Sequence, residues 1–420
     1  MNIINSISRI TKKITSNITN VISGIWNSLG LALDGSTYTG GLFGRSLALN
    51  ASGDKLVVGY PNADLNGADS GGVAVFSWDG STWNQLGTQI SGPFSTDYAG
   101  SSVSINASGD RIAIGLPGSD TNGLSAGTVR VYSYSSGSGS WIQLGSDMNG
   151  TAGTTLGSSI SMNAAGDVII IGCPYADSNG ITDSGQIAVY RYTGSSWTGK
   201  GSGIEGSSAS DRFGWSVSIS DDGNIIAIGS PYVTVLGGNE TGTVKIYSFN
   251  SGTNQWVQLG STINGTGGDN FGYSIALNSA GDRIVVGGQS YSSAGKLQNG
   301  VVRVYSYSGG SWIQLGSDII GDVNYDHLGK SVSINSSGDR ITVGIPDFDS
   351  PSSTGIVRTF YWNGSSWIQF GSDIVGVGGY AGVANYNSTL SMNNTGDIIA
   401  MGAPLYGGGQ YGLVKIYKLT

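Results

Sequence analysis

The chain of 420 residues has a net charge of −8, only 11% charged residues, and 38% hydrophobic residues that include 10 Trp and 21 Tyr. Disordered chains lack aromatic and β-branched residues, so this composition excludes a disordered protein. The acidic balance argues against a nucleic-acid partner, because tracking phosphates requires a basic surface. No apolar run approaches 18 residues, so we expect no transmembrane segment.

The first 24 residues are predicted to form a short amphipathic helical tail. Its apolar residues recur at a helical period, at Ile3, Ile7, Ile10, Ile14 and Val21. Isoleucine at both core positions of a coiled coil favours trimers, so we expect self-association or docking to an assembly partner through this tail. Two alternatives stay open: a basic helix lying on an anionic membrane, or a frayed tail. The tail has no continuous apolar stretch, so no cleaved signal peptide is expected.

Residues 25–420 consist of seven copies of one repeat. Each copy carries a turn glycine, and successive ones are 56 to 58 residues apart, at Gly53, Gly109, Gly166, Gly223, Gly281, Gly338 and Gly396. Self-similarity at a fixed period over the whole chain is typical of repeat architectures such as propellers and solenoids.

Each repeat is predicted to contain four strands. In the second copy, strand A alternates around Val103 and Ile105, and a short turn leads to strand B at 111–114. Strand C follows at 128–132, and strand D at 141–145. Four-stranded units repeated around an axis form β-propeller blades, so we predict an all-β, closed seven-bladed β-propeller with four antiparallel strands per blade. An open solenoid is the alternative.

The two ends of the chain favour the propeller. Each strand D carries a W-x-x-x-G motif, at Trp83, Trp141, Trp197, Trp256, Trp312 and Trp367. A seventh copy begins at Trp26, before the first strand A, whereas the last repeat ends on strand C at 414–417. We therefore predict that 26–31 pairs with 414–417 and completes the last blade, which would remove both free sheet edges.

Two short motifs link the repeats to a known family. Phe-Gly pairs precede strand A at Phe43, Phe213 and Phe271, and six strands B end in Gly-x-Pro, at Pro61, Pro117, Pro174, Pro231, Pro346 and Pro404. The repeat resembles the FG-GAP repeat of the integrin α-subunit propeller and of bacterial and viral surface proteins, over residues 25–420. This resemblance implies adhesion or ligand recognition by a seven-bladed propeller, often with Ca²⁺ in the A–B turn.

The sequence departs from that family at the calcium loop. A Ca²⁺ loop of the form D-x-[DN]-x-[DN]-G needs several carboxylates, whereas most A–B turns here have one. We expect no cofactor. The remaining metal candidates lie in the fourth A–B turn and in a repeated Pro-x-x-Asp-x-Asn-Gly pattern of the B–C loops, at Asp64, Asn66, Asp120, Asp177, Asp221 and Asp222. For the loop residues, Asx turns are the alternative interpretation.

Catalytic chemistry is sparse. The enzyme alternative is a sialidase-like glycoside hydrolase, because 77–83 is similar to that family's Asp-box, although it is one residue short. The arginines that such an enzyme would need share repeated strand positions, which indicates a structural role. His327 is the single histidine, and glycosidases require paired carboxylates that the sequence does not clearly supply. We therefore expect no enzyme.

The sequence predicts an interaction module displayed extracellularly or on a virion, as a structural protein or adhesin, that binds a glycan or protein ligand. A Ca²⁺-dependent integrin-like adhesin is the runner-up. Recognition is expected on the B–C and D–A loops, which vary between blades over a repeated scaffold. Candidate ligand-binding residues lie in blades three and six, at Tyr175, Asp177, Tyr325, Asp326, His327, Asp347, Phe348 and Asp349. Solvated loops without function are the alternative.

Overall fold

A computed structural model describes residues 24–38, 40–235, 239–346, 355–376, 389–407 and 409–420. Within these ranges the chain forms seven antiparallel sheets, each with strands in the order A-B-C-D. A two-stranded hairpin, Thr234–Val235 with Asn239–Glu240, and a short 3-10 helix, Ser178–Gly180, lie in the loops. The prediction of an all-β seven-bladed propeller with four antiparallel strands per blade is confirmed. Most of the tail, residues 1–23, lies outside the described residues.

Strands A and B form the inner half of each blade. Strands A are Ser46–Leu49, Ser102–Ile105, Ser159–Met162, Ser216–Ile219, Ser274–Leu277, Val332–Ile334 and Leu390–Met392. Strands B are Lys55–Tyr60, Arg111–Leu116, Val168–Cys173, Ile225–Ser230, Arg283–Gly288, Arg340–Ile345 and Ile398–Ala403. Strand B is buried along almost its whole length because neighbouring blades cover both of its faces, which is why it reads as a continuous apolar run.

Strands C and D form the outer half. Strands C are Gly72–Trp78, Thr128–Ser135, Gln186–Tyr192, Thr243–Asn250, Val301–Ser308, Ile356–Trp362 and Leu413–Leu419. Strands D are Trp83–Gln85, Ser140–Gln143, Trp197–Gly199, Gln255–Gln258, Ser311–Gln314, Trp367–Gln369 and Trp26–Ser28. A two-residue continuation of each strand D also pairs with strand C, at Ile90–Ser91, Met148–Asn149, Ile204–Glu205, Ile263–Asn264, Ile319–Ile320, Ile374–Val375 and Leu33–Asp34.

The interruption in strand D explains the W-x-x-x-G motif. The chain bulges between the two parts of strand D, and Leu86 and Gly87 occupy the bulge in blade one. The indole Nε1 of Trp141 in blade two donates a hydrogen bond of 2.8 Å to the carbonyl of Leu86. Gly87 has a φ of +75°, and a Cβ there would lie 3.0 Å from the Trp141 ring. The motif thus joins each blade to the next.

The same indole hydrogen bond recurs around the propeller. Its donor and acceptor pairs are Trp83 with Leu29, Trp141 with Leu86, Trp197 with Leu144, Trp256 with Lys200, Trp312 with Leu259 and Trp367 with Leu315. The donor in blade seven, Trp26, instead reaches the hydroxyl of Thr359 in blade six, at 3.1 Å.

The N-terminal strand belongs to the last blade. Trp26 pairs with Leu419, and Ser28 pairs with Tyr417, in antiparallel register. The carbonyl of Leu29 accepts the indole hydrogen bond of Trp83 in blade one. The strand is therefore bonded to its own blade and also contacts both neighbouring blades.

A circuit of backbone hydrogen bonds joins the A–B turns near the axis. One residue of each turn donates its N–H to the carbonyl of the equivalent residue in the next blade. The circuit runs through Ala51, Ala107, Ala164, Asp221, Ser279, Ser336 and Asn394, and it returns to Ala51 with distances of 3.0 to 3.3 Å. It narrows the central channel at the A–B end, whereas the B–C and D–A loops surround the other end.

Candidate functional site

The central channel has a cavity at the end surrounded by the B–C and D–A loops. The first residues of the seven strands A line a cavity of 250 Å³ there. Six blades contribute a serine at the start of strand A, and in five of them its hydroxyl donates to a glycine carbonyl of the next blade, as Ser102 does to Gly157 at 2.6 Å. The channel wall itself is therefore part of the repeated scaffold.

The residue before that serine breaks the repeat. The six described residues at this position are Arg45, Ser101, Ser158, Trp215, Tyr273 and Lys330. Blades six and one carry basic side chains, blades four and five carry aromatic ones, and blades two and three carry serines. These residues line the mouth of the channel. One side of the mouth is thus aromatic, and another is positively charged.

Aromatic and cationic side chains pack beside the mouth. The Trp215 ring centroid lies 5.5 Å from that of Tyr273 and 5.3 Å from that of Tyr232. The guanidinium of Arg212 lies 4.7 Å from the Tyr232 ring centroid and 5.0 Å from that of Tyr175. Such cation–π contacts hold the arginine and the rings in place.

Burial raises the pKa of the Tyr273 hydroxyl to about 12, while the charge of Arg45 opposes part of that rise. Arg45 of blade one and Tyr273 of blade five both line the channel cavity. Tyr273 therefore stays neutral at physiological pH and can both donate and accept hydrogen bonds.

A second cavity, of 220 Å³, adjoins the channel and is lined by Arg45, Ser101, Pro117, Ser158, Pro174, Tyr175 and Trp215. Four of these residues also line the channel, so the two cavities are neighbours. We call the mouth defined by Arg45, Tyr175, Trp215, Tyr273 and Lys330 the axial site.

The axial site differs in charge from the protein as a whole. The described residues that line one or the other cavity include no Asp or Glu, but they include Arg45 and Lys330. The whole chain, in contrast, has a net charge of −8. The site therefore combines basic, aromatic and hydroxyl side chains.

Tyr175, one of the predicted ligand-binding residues, belongs to the axial site. Its neighbour in the same loop, Asp177, has a local role: its Oδ1 accepts the N–H of Asp183 at 2.9 Å. Tyr325, Asp326 and His327 lie in the loop before strand A of blade six, three blades away from the loop of Tyr175.

The described blade-six candidates, Tyr325, Asp326 and His327, lie together in a separate loop. Tyr325 is 47% exposed, and its ring lies 6.3 Å from that of His327, whose Nε2 is 3.2 Å from Gln298 Oε1. Asp326 is fully buried and accepts the N–H groups of Asp322 and Val323, at 2.7 and 2.9 Å. The carboxylate of Asp326 thus stabilises its own loop. Asp347, Phe348 and Asp349 lie outside the described residues.

The A–B turns hold an amide group where a calcium loop would hold a cation. Asn50 Nδ2 donates to Asp54 Oδ1 at 2.8 Å, and Asn50 Oδ1 accepts the N–H of Lys55 at 2.9 Å. Five further blades repeat the bond from the asparagine amide to the aspartate, at Asn106, Asn163, Asn278, Asn335 and Asn393. A neutral side chain therefore satisfies the single carboxylate of the turn.

In the A–B turn of blade four, a lysine from blade three takes the place of the asparagine amide. The ammonium of Lys200 donates to the carbonyl of Gly223 and to Asn224 Oδ1, the latter at 2.8 Å. Burial lowers the pKa of this ammonium to about 8. Asp222 accepts hydrogen bonds from Ser220 Oγ and from the Asn224 N–H, whereas Asp221 joins the backbone circuit.

The B–C loop candidates bond to the backbone of their own loops, but they accept N–H groups five or six residues on and so do not form the predicted Asx turns, which span two residues. Asp64 Oδ1 accepts the N–H of Asp69 at 2.8 Å, and Asp120 Oδ1 accepts that of Ser125 at 2.7 Å. Asn66 donates to the carbonyl of Gly92 at 2.9 Å. Within the described ranges, no group of three or more His, Cys, Asp or Glu could hold a metal ion.

The repeated arginines of strand C pair with carboxylates of their own blades. Arg130 binds Asp147 at 2.8 Å, and Arg303 and Arg358 bind Asp318 and Asp373 at 3.0 Å. These ion pairs support the interpretation that repeated arginines are structural. No helix in the described part of the chain is long and apolar enough to cross a membrane.

Residues 205–247 match the family model of the FG-GAP repeat. The chain carries an FG-GAP repeat. The matched segment runs from the end of strand D in blade three into strand C of blade four, and the other blades repeat the same strand pattern.

Two solved structures share the propeller fold. A "putative 6-phosphogluconolactonase" from Bacteroides uniformis is 12% identical, with a TM-score of 0.55, over 79% of this chain and 85% of that one. U3-55K is also 12% identical, with a TM-score of 0.55, over 92% of this chain and 97% of that one. At this identity the likeness shows the fold alone. No curated protein matches the sequence.

Sequence reasoning missed four of the five residues of the axial site. Their signal is present in the aligned repeats, where the residue between glycine and serine reads Arg, Ser, Ser, Trp, Tyr and Lys in the first six copies. The variation at this position stands out against the serine that follows it. Tyr175 was predicted as part of its loop, without knowledge of its neighbours.

Proposed function

We propose that this propeller is a non-enzymatic recognition module on an external surface. It binds a glycan or a protein on the face formed by the B–C and D–A loops. The axial site carries this proposal: an otherwise repeated scaffold places different side chains, aromatic and basic, around one concave mouth. Concave sites with aromatic walls and a few polar groups are typical of ligand pockets.

The chemistry of the site favours binding over catalysis. Its groups are serine hydroxyls, aromatic rings and two cations, whereas glycoside hydrolysis relies on a pair of carboxylates. The strand-C arginines that a sialidase would need for its substrate are engaged in ion pairs. The A–B turns likewise favour a function that does not depend on Ca²⁺, since amide and ammonium groups satisfy their acceptors.

The external location rests on the family and on composition. The repeat of this chain resembles the FG-GAP repeats of surface proteins. The low content of charged residues, 11%, suits a virion appendage or a secreted adhesin. Binding to glycan arrays and to intact cells, measured with the full-length protein, tests the proposal.

Trp215→Ala should reduce such binding at least tenfold, because Trp215 lines both cavities, and a tryptophan that packs against a ligand commonly contributes about 2 kcal/mol or more. Ile142→Ala, at an exposed position on the outer strand D of blade two, is the matched control and should bind normally. EDTA should leave binding unchanged; a loss in EDTA would favour the Ca²⁺-dependent adhesin. Full binding by Trp215→Ala together with a loss in Tyr325→Ala would move the site to blade six.

We also propose that residues 1–24 mediate self-association or attach the propeller to a larger assembly. The described strands form all seven blades without residues 1–23, so the helical period of that segment serves another purpose. Light scattering should show oligomers of the full-length protein and monomers of a variant lacking residues 1–22. Two monomeric proteins would contradict self-association, and binding of the full-length protein to anionic vesicles would favour the membrane alternative.

A further inference from the structure

Resting on the proposed function, we infer that the axial site binds an uncharged sugar, a pyranose that packs against aromatic side chains of blades three, four and five. We call Tyr175, Trp215, Tyr232 and Tyr273 the aromatic wall, and the guanidinium of Arg212 contacts the first three of these rings. Three properties lead to this ligand: the composition of the wall, the balance of charge around it and the size of the cavities beside it.

Blades three and four differ from the other blades at two loop positions. The residue after Gly-x-Pro is tyrosine in these two blades, at Tyr175 and Tyr232, and a different residue in the other four copies of that motif. Arg212 precedes strand A of blade four, and its guanidinium is 5.0 Å from the Tyr175 ring centroid and 4.7 Å from that of Tyr232. The backbone at the arginine position recurs, with a φ of +50° to +56°, at Leu42, Tyr98, Thr155, Arg212, Asn270 and His327. The stack of two tyrosines and one arginine is thus an addition to the repeated scaffold.

Arg212 holds the wall together. Its planar guanidinium is attracted to the faces of aromatic rings and can stack against two of them at once. Trp215 continues the wall, with its ring centroid 5.3 Å from that of Tyr232 and the planes inclined by 83°. Tyr273 follows at a ring distance of 5.5 Å from Trp215. Arg212 is therefore a positioning residue, which fixes the rings against which the ligand packs.

The charges around the wall are matched within the protein. Arg45 and Lys330 each interact with another residue of the chain. The charge of Arg212 is directed at the faces of three aromatic rings. The described residues that line the two cavities include no Asp or Glu. A charged ligand would therefore lose its hydration without gaining an opposite charge, so the site favours an uncharged one.

An uncharged pyranose matches the groups that remain. The face of an aromatic ring carries partial negative charge, and the C–H groups on one face of a pyranose are slightly positive and apolar, so the two faces pack well together. Burial raises the pKa of the Tyr232 and Tyr273 hydroxyls, which therefore stay protonated and can both donate and accept hydrogen bonds. Ser101 Oγ and Ser158 Oγ each donate to a loop carbonyl at 2.8 Å and keep acceptor lone pairs for the hydroxyl groups of a sugar.

The cavities beside the wall accept a small group. Trp215 lines both of them, and Tyr175, which is 36% exposed, lines the smaller one. Their volumes are 250 and 220 Å³, close to the lower end of the range of about 300–1,000 Å³ that is typical of small-ligand pockets. A stable protein partner, in contrast, covers about 800 Å² of surface. The cavities therefore suit the end of a glycan, one or two sugar rings, better than a folded protein.

The test applies the full-length protein to an array of uncharged oligosaccharides of galactose, glucose, mannose and N-acetylglucosamine, printed beside their sialylated and sulfated forms. We expect at least one uncharged glycan to bind, and its acidic forms to bind no more tightly. Titration calorimetry with that glycan should give dissociation constants that agree within about twofold at roughly 50 and 500 mM NaCl, because salt has no ionic contact to screen. A tenfold preference for the acidic forms, or an affinity that is lost at high salt, would overturn the inference.

Arg212→Lys keeps the positive charge but loses the planar stack, so it should weaken binding of the uncharged glycan about fivefold or more. In a Tyr175→Ala background the same substitution should have little further effect, because the arginine acts through the ring that has been removed. Each variant should keep the circular dichroism spectrum of the unmodified protein. Unchanged binding by Arg212→Lys, or losses that simply add, would contradict the positioning role.

Arg191→Lys is the matched control, because Arg191 is exposed on strand C of blade three and lines neither cavity. It should bind the uncharged glycan normally. If no uncharged glycan bound but Trp215→Ala still reduced binding to cells, the inference of an uncharged sugar would be wrong and the proposed function would stand. Absence of any glycan or cell binding would contradict both.

Discussion

Deletion of residues 1–31 is expected to lower the melting temperature by roughly 5–10 °C and to make the protein aggregate. The deletion removes Trp26, which is buried against Phe370 of blade six at a ring distance of 6.1 Å. It also removes the carbonyl of Leu29 and leaves the indole of Trp83 without its acceptor. Loss of one buried tryptophan alone typically costs about 3–5 kcal/mol.

Aggregation follows from the strand that remains. Without Trp26–Ser28, the outer edge of the last strand C is unpaired at 417–419, although Leu33–Asp34 can still pair with Leu413 and Val414. An unpaired edge strand with apolar residues is a template for pairing with another chain. Size-exclusion chromatography and differential scanning fluorimetry measure the two effects.

The matched control is deletion of residues 1–22, which keeps the whole strand. It should melt at the temperature of the full-length protein, since every contact of Trp26 and Leu29 described above is retained. A protein lacking residues 1–31 that stays monomeric and melts normally would show that the N-terminal strand contributes little to blade seven.

The repeat period and the W-x-x-x-G motif were enough to predict seven blades of four strands. The predicted pairing of 26–31 with 414–417 differs in register from the structure, where Trp26 pairs with Leu419 and Ser28 with Tyr417. The bulge in strand D could not be predicted, because the motif alone does not reveal that the carbonyl of Leu86 must face Trp141 of the next blade. That contact lies between blades, and a repeat alignment shows which residues recur but not what they touch.

The candidate site was harder to predict for a related reason. Asp326 was chosen as part of a Tyr- and Asp-rich loop, but its position recurs: Asp97 accepts the N–H of Phe94 at 2.7 Å, and Asp269 accepts that of Thr266 at 3.0 Å. An aspartate that recurs at this loop position therefore has a structural role, because it accepts backbone N–H groups of its own loop. The role of Trp215 and Tyr273 could not be predicted, because the sequence does not show which residues at the start of strand A line the channel.

The glycine near the end of strand B is predicted to be the most sensitive position in each repeat. In blade two, a Cβ on Gly115 would overlap the carbonyl oxygen of Gly157 in blade three and the hydroxyl of Ser102. The same overlap faces Gly59, Gly172, Gly229, Gly287 and Gly402. The glycine of strand B and the glycine that ends the D–A loop therefore touch across the blade interface, which explains why both recur in the repeat.

Gly115→Ala should accordingly destabilise the protein by about 3 kcal/mol, at the upper end of the cost of inserting a methyl group into a packed interior. The added methyl cannot be relieved by a side-chain rotation, because one of its neighbours is backbone. Moving blade three outward would break the 2.6 Å bond from Ser102 to Gly157 and strain the backbone circuit at Ala107 and Ala164. The midpoint of urea denaturation should fall without a change in its slope.

Gly137→Ala provides the control within the same blade. No atom lies within 4 Å of a Cβ at Gly137, and its φ lies outside the left-handed region, so an alanine fits without strain. This substitution should be neutral or stabilise by up to about 1 kcal/mol, because alanine lowers the entropy of the unfolded chain. Equal denaturation midpoints for the two variants would mean that the blade interface yields to a methyl group, and the packing reason for the repeated glycines would then be wrong.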